Sequence, residues 1–150
     1  MDFYGDAVKD IALILLVVSG AGALKQVFID SGVSDQIAVL LQGWAINPLF
    51  LGWLIATIIR VCVGSATVAG LTTAGIMAPI ILQTNADPNL MVISIGAGSL
   101  MFSHVNDAGF WMFKEYFNLS LKDTIRSWSL METIVGVFGL VGVLILDLFI

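Results

Sequence analysis

The chain has 150 residues, 59% of them hydrophobic and 11% charged, with a formal charge of −5 and a mean hydropathy of +1.01. Soluble domains carry about 25% charged residues, so this composition excludes a soluble globular protein, and nothing in it supports nucleic-acid binding. The single Cys62 lies in an apolar stretch; it excludes an intrachain disulfide framework or a Cys-rich metal site and reads as a small buried filler.

Uncharged stretches run from Ile11 to Leu24, Gly43 to Ile59, Val61 to Ala86 and Thr133 to Leu146. A bilayer core about 30 Å thick takes about 20 helical residues. The expected class is therefore an all-α integral membrane protein, with one membrane domain over residues 1–150. Met1 is followed by Asp2 and Asp6 without a basic leader, so no cleaved signal peptide is expected. So short a polar lead-in to a membrane helix points to a truncated chain.

In chain order, residues 7–29 form the first expected helix, whose uncharged centre is short unless Lys9 and Lys25 snorkel outward. Its Ser19-Gly20-Ala21-Gly22-Ala23 run lets a second helix approach closely. Residues 34–42 are too short to span and are expected at the interface. Asn47-Pro48 opens the next element, because proline is tolerated in a first helical turn. From there to Leu82, two apolar arms flank a centre rich in Gly, Ser and Thr, beginning Gly64-Ser65-Ala66-Thr67. These 36 residues fit either two crossings or one re-entrant hairpin with a buried tip, and hydropathy alone does not choose.

Residues 89–113 read as a helix broken at membrane depth. Asn89 to Phe102 is mostly apolar, Ser103-His104-Val105-Asn106-Asp107-Ala108-Gly109 is polar, and Phe110 to Phe113 is apolar again. Such breaks are tolerated where they are buried in protein or line a water-filled cavity, as at the midplane sites of transporters. A polar loop over Lys114 to Ser127 leads to a last helix over residues 128–150, with Trp128 suited to the interface. Lys114, Lys122 and Arg126 mark that loop as cytoplasmic, as Lys9 marks the start; Asp30, Asp35 and Asp87 then face outward with the C-terminus.

A lone Arg60 among uncharged residues is costly in lipid, by about 2.5 to 3.5 kcal/mol on the more lenient scale. It needs either a substrate carboxylate or a structural partner, Asp107 or the carbonyls that end its own helix. Gly64 to Thr67 supplies backbone N–H groups and two hydroxyls at a helix start, fit for binding an anion or simply for capping. His104, Asn106 and Asp107 gather an imidazole, an amide and a carboxylate within one short segment. Proton coupling and plain hydrogen bonding around the break are both open, since imidazoles titrate near neutral pH. One His and one Asp are too few ligands for a protein zinc site. Glu132 and Asp147 are read as headgroup-level charges outside any site, and no nucleophile–base–orienter set suggests an enzyme.

Three segments resemble the gluconate permease family: Gly64-Ser65-Ala66-Thr67-Val68-Ala69 with Thr72-Thr73-Ala74-Gly75-Ile76, Ser103 through Trp111, and Gly22-Ala23-Leu24-Lys25-Gln26-Val27. The resemblance implies an ion-transporter-type repeat with a re-entrant helical hairpin at 47–82 and a broken transmembrane helix. It also implies proton symport of gluconate or a related sugar acid across the bacterial inner membrane, without a cofactor or metal. Gly64, Ser65, Thr67, Asn106 and Arg60 would then bind substrate, and Asp107 or His104 would carry the proton. Family members are longer, so the implied partners are a gluconate-like anion, protons, the bilayer and a missing N-terminal half of the transporter, with a homo-oligomer as another source of the second half-site. A carrier for another carboxylate such as citrate or lactate, and a non-transporting membrane remnant, are the alternatives.

Overall fold

The computed structural model describes residues 46–150 continuously, and upstream of them only Gly5, Val8, Ala12, Ser19, Ala23, Val27, Asp30 and Ser31. The expected helix at 7–29 and interfacial segment at 34–42 lie outside that continuous stretch. Residues 46–150 form an all-α bundle of five helices: α1 (Pro48–Val63), α2 (Ala66–Ile81), α3 (Pro88–Ser99), α4 (Ala108–Tyr116) and α5 (Leu121–Leu146).

Each helix start is fixed by a short polar side chain. Asn47 precedes Pro48, and its Oδ1 accepts the Leu49 N–H at 2.8 Å. Asp87 precedes Pro88 and accepts the amides of Asn89 and Leu90, of which the Leu90 amide does most to hold its carboxyl below the usual carboxylate range. Proline contributes a preset φ at these first positions, where its missing donor is not needed. Ser65, Asp107 and Ser120 cap α2, α4 and α5 in the same manner.

Helices α1 and α2 are joined by Gly64 and Ser65 and fold back on each other, since Leu49 near the start of α1 shares a buried core with Met77 and Ile80 near the end of α2. Leu90, Met91 and Ile95 of α3 and Val143 of α5 complete that core. Thus α3 lies between α1 and α5. Glycines set both spacings: Gly98 meets the Trp53 carbonyl of α1, while Gly136 and Gly139 of α5 meet Ala97. Small residues at such crossings bring backbones close enough to pack without a hydrophobic drive from water. Trp53 Nε1 adds a 3.0 Å bond to the Gly136 carbonyl, and the Ser94 hydroxyl donates to Leu49 O at 2.6 Å.

The relative depths are set by helix rise. The 26 residues of α5 extend about 39 Å and each 16-residue arm of the α1–α2 pair about 24 Å, at 1.5 Å per residue. The open end of that pair lies at the C-terminal end of α5, where Asn47 donates to Asp147. Its closed end reaches the level of Glu132, which Arg60 contacts. The pair therefore stops partway along α5.

Two sequence expectations move. Helix α5 begins at Leu121, not at residue 128, because Ser120 caps it and a π-helical turn over Ile125–Ser129 joins its first turn to Leu130–Leu146. Cys62 is exposed on the outer side of α1, between exposed Val61 and Val63, and is no core filler. Along α5, Ile134, Val135, Phe138, Val141 and Ile145 are also exposed, an apolar face that suits lipid or a further helix.

The glycine contacts give a paired test. A Cβ on Gly98 would lie 2.3 Å from the Trp53 carbonyl oxygen, whereas nothing lies within 4 Å of one on Gly96. Gly98→Ala is expected to cost about 1 to 3 kcal/mol through overpacking, and Gly96→Ala to be neutral or stabilising by up to about 1 kcal/mol. Thermal unfolding of the purified protein in detergent checks both.

Candidate functional site

The closed end of the α1–α2 pair is shaped by Gly64. Its φ of +79° lies in the left-handed region, its amide donates back to Arg60 O at 2.8 Å, and a Cβ there would fall 2.3 Å from the backbone oxygen of Asn106. Glycine alone satisfies both the turn and the contact. Ser65 then leaves in extended geometry, and its Oγ accepts the Val68 amide at 3.3 Å, starting α2. Asn106 fastens the other side by donating from Nδ2 to Val61 O at 2.9 Å.

The chain between α3 and α4 is a non-helical break over residues 100–107, with Phe102 at φ +47°. Directly beneath the Gly64 turn, Arg60 is 2% exposed. One of its terminal nitrogens, Nη1, donates to Gly64 O at 2.7 Å. The other, Nη2, lies 2.5 Å from Asp107 Oδ2 and 3.4 Å from Glu132 Oε2. Asp107 in turn accepts the Gly109 amide at 2.9 Å, capping α4, and the Ser103 hydroxyl. The carboxylate thus closes an ion pair and starts a helix at once.

Ser103 is buried and held from α5. Trp128 Nε1 donates to its Oγ at 2.9 Å, and the Ser129 hydroxyl donates to its carbonyl. Both donors come from the π-helical turn, which advances the side chains relative to a regular helix. Such turns recur at functional sites.

Of the residues singled out from sequence, Arg60, Gly64, Asn106 and Asp107 meet at this junction. Ser65 stands at the start of α2 beside it. Thr67 is exposed and lines a groove of about 370 Å³ between α2 and α3, together with Ala66, Gly70, Ala74, Val92 and Gly96. Apart from Thr67 those walls are apolar. The His104 ring bonds within the break, with Nδ1 donating to Phe102 O at 3.0 Å. Arg60 has both structural partners considered for it, Asp107 and a carbonyl at the end of its helix.

Ser103, which opens the polar run of the break, joins the junction as well, and Glu132, Trp128 and Ser129 do so without any sequence signal that places them there. Glu132 does not stand near the end of its helix: with α5 starting at Leu121 it sits well inside, its side chain 13% exposed against Arg60. Asp147 does lie at the helix end, paired with Asn47. Trp128 points its indole N–H inward to Ser103 and stacks near Phe113, with ring centres 4.8 Å apart.

Residues 1–149 match the family model described as GntP family permease. The chain is 54% identical to the "High-affinity gluconate transporter" of Escherichia coli (strain K12), over 95% of its own length and 32% of that protein. It is 50% identical to the "Gnt-II system L-idonate transporter" of the same organism, over 98% of this chain and 34% of the relative. A "Gluconate permease" of Bacillus licheniformis is likewise 50% identical, over 100% of this chain and 34% of that protein. The chain thus spans about a third of the length of the curated relatives it matches. No solved structure matches it.

Removing one partner of a buried ion pair typically costs about 3 to 5 kcal/mol, because the other charge is left unpaired. Arg60→Met is expected to fall in that range, and adding Asp107→Leu to cost far less than the sum of the two single changes. A double-mutant cycle read by unfolding in detergent checks this; strict additivity would mean that the two side chains do not interact.

Proposed function

Because the chain belongs to the GntP family of permeases, we propose that it is the C-terminal third of a secondary transporter that carries gluconate or a related sugar acid, with protons, across the bacterial inner membrane. The names of its relatives carry gluconate and L-idonate, both hydroxylated carboxylates, which supports that substrate class. One observation carries it. A helix turn and a helix break meet at a buried Arg60–Asp107 pair, partway along a helix apolar and long enough to cross a membrane.

The α1–α2 pair is read as a re-entrant hairpin. Its arms of about 24 Å fall short of a hydrocarbon core of about 30 Å, and its closed end reaches only Glu132. The basic residues Lys114, Lys122 and Arg126 lie toward the opposite end of α5 from Asp147. By the positive-inside rule that end is cytoplasmic, so the hairpin is rooted on the periplasmic side and the C-terminus lies there too.

At the hairpin tip and the break, α2 and α4 begin while α1 and α3 end. The first-turn N–H groups at the two starts favour an anion, and the carbonyls at the two ends favour a cation. Arg60 occupies the cationic place at the end of α1. In this reading Ser65, Thr67 and Asn106, with the Gly64 backbone, hold the carboxylate and nearest hydroxyls of the sugar acid. Arg60, already paired, supplies the positive field behind them. Protons couple in this reading through the titratable side chains gathered where the tip meets the break. The remaining two-thirds of the permease, or a paired copy, furnishes the opposing half of the site.

Uptake of labelled gluconate by cells lacking their own permeases tests this, comparing the longest reading frame that contains the chain with the chain alone under imposed pH gradients. Gradient-dependent uptake by the longer form is expected. Thr67→Val, conservative at an exposed position, should raise KM roughly 10-fold, as loss of one hydrogen bond to a charged ligand would, at unchanged membrane levels. Absence of gluconate and idonate uptake, with the protein demonstrably in the membrane, would reject the reading.

A further inference from the structure

Among the described residues the charges of the Arg60 cluster do not balance. One guanidinium faces two carboxylates, Asp107 and Glu132, whose side chains are 14% and 13% exposed. If both were ionised the cluster would carry a net negative charge largely shielded from water, which is unfavourable; groups in that position tend to neutralise instead. The surroundings supply no second cation among the described residues. Helix α3 has no ionisable side chain, and α1 offers only Arg60 and the exposed Cys62. On α4, Lys114 is paired with Glu115 and Tyr116 is exposed. On α5 itself Lys122, Asp123 and Arg126 are exposed in the first turns, and in the break the His104 ring is turned to Phe102 O.

The two carboxylates are held unequally. Asp107 receives three donors: Arg60 Nη2 at 2.5 Å, the Gly109 amide at 2.9 Å and the Ser103 hydroxyl. Glu132 has the same Nη2 at 3.4 Å, well beyond the 2.7–2.9 Å of a charge-assisted bond. That spacing suits a neutral acid beside a cation already taken by its neighbour.

We propose that Glu132 carries the coupled proton of this transporter, with Asp107 remaining the ionised partner of Arg60 while Glu132 is protonated. The step is a simple protonation: a carboxylate oxygen of Glu132 takes a proton from water on one side of the membrane and returns it to water on the other. When the proton leaves, ionised Glu132 competes with Asp107 for Arg60 Nη2. Because Asp107 also caps α4 and Arg60 also holds Gly64 O, that competition loosens the contact between hairpin tip and break. Protonation of one residue on α5 thereby sets whether the hairpin tip and the break are clasped.

This inference rests on the transport reading, and two measurements separate their failures. In the intact permease, Glu132→Gln mimics the protonated acid. It is expected to abolish gluconate accumulation driven by a pH gradient while retaining exchange of labelled for unlabelled gluconate within about threefold of the unmodified protein, and Glu132→Asp should restore part of the accumulation. Gradient-driven accumulation that survives in Glu132→Gln, or loss of exchange together with accumulation at normal membrane levels, overturns the proposal. The second measurement needs no transport. Infrared spectra of the purified permease at neutral pH should contain the C=O stretch of a buried protonated carboxyl group, lost in Glu132→Gln and kept in Asp107→Asn. Its absence, or its persistence in Glu132→Gln, overturns the proposal even if gluconate is carried. Its loss in Glu132→Gln upholds the protonation even if another acid proves to be the substrate.

Discussion

Burial of the Arg60 guanidinium is the constraint to which the other features of this chain answer. A cation surrounded by uncharged residues must be neutralised locally, and the partners it takes come from three separate places. Gly64 O belongs to the turn that ends its own helix, Asp107 to the break after α3, and Glu132 to the interior of α5. One side chain therefore ties a turn, a break and a continuous helix together. Breaking it would release all three.

The interruptions in the helices have the same origin. Backbone groups at membrane depth must find partners within the protein, and here they do so through a few side chains. Ser65 and Asp107 cap the helices that start at the junction, Asn106 satisfies Val61 O, and Ser129 satisfies Ser103 O. The packing of α3 between α1 and α5 through Gly98, Gly136 and Gly139 gives these short polar contacts a fixed frame. An irregular backbone held by side chains, with helix ends gathered around it, is suited to holding a polar ion within an apolar protein.

Much of this arrangement is legible in the amino-acid sequence, for identifiable reasons. Asn47-Pro48 and Gly64-Ser65 announce helix boundaries because only a few residue types serve there, and the polar run from Ser103 to Gly109 announces a break because nothing else explains it in an apolar chain. Arg60 and Asp107 can be paired from charge alone. Glu132 cannot: its depth depends on where α5 starts, and the π-helical turn that carries the helix on from Leu121 has no residue signature. That same turn aims Trp128 and Ser129 inward, where an indole and a hydroxyl near a helix start would ordinarily be assigned to the interface. Cys62 is misread for a different reason, since an apolar stretch in a membrane protein says nothing about which of its faces is covered.

A structure of the intact permease with gluconate bound is the most direct test of the proposed site. The sugar-acid carboxylate is expected at the meeting of the hairpin tip and the break, within hydrogen-bond reach of Ser65, Thr67 or Asn106, with the Arg60–Asp107 pair closed behind it. Gluconate bound against other surfaces of the protein, or an Arg60 side chain without Asp107 as its partner in that complex, would contradict it.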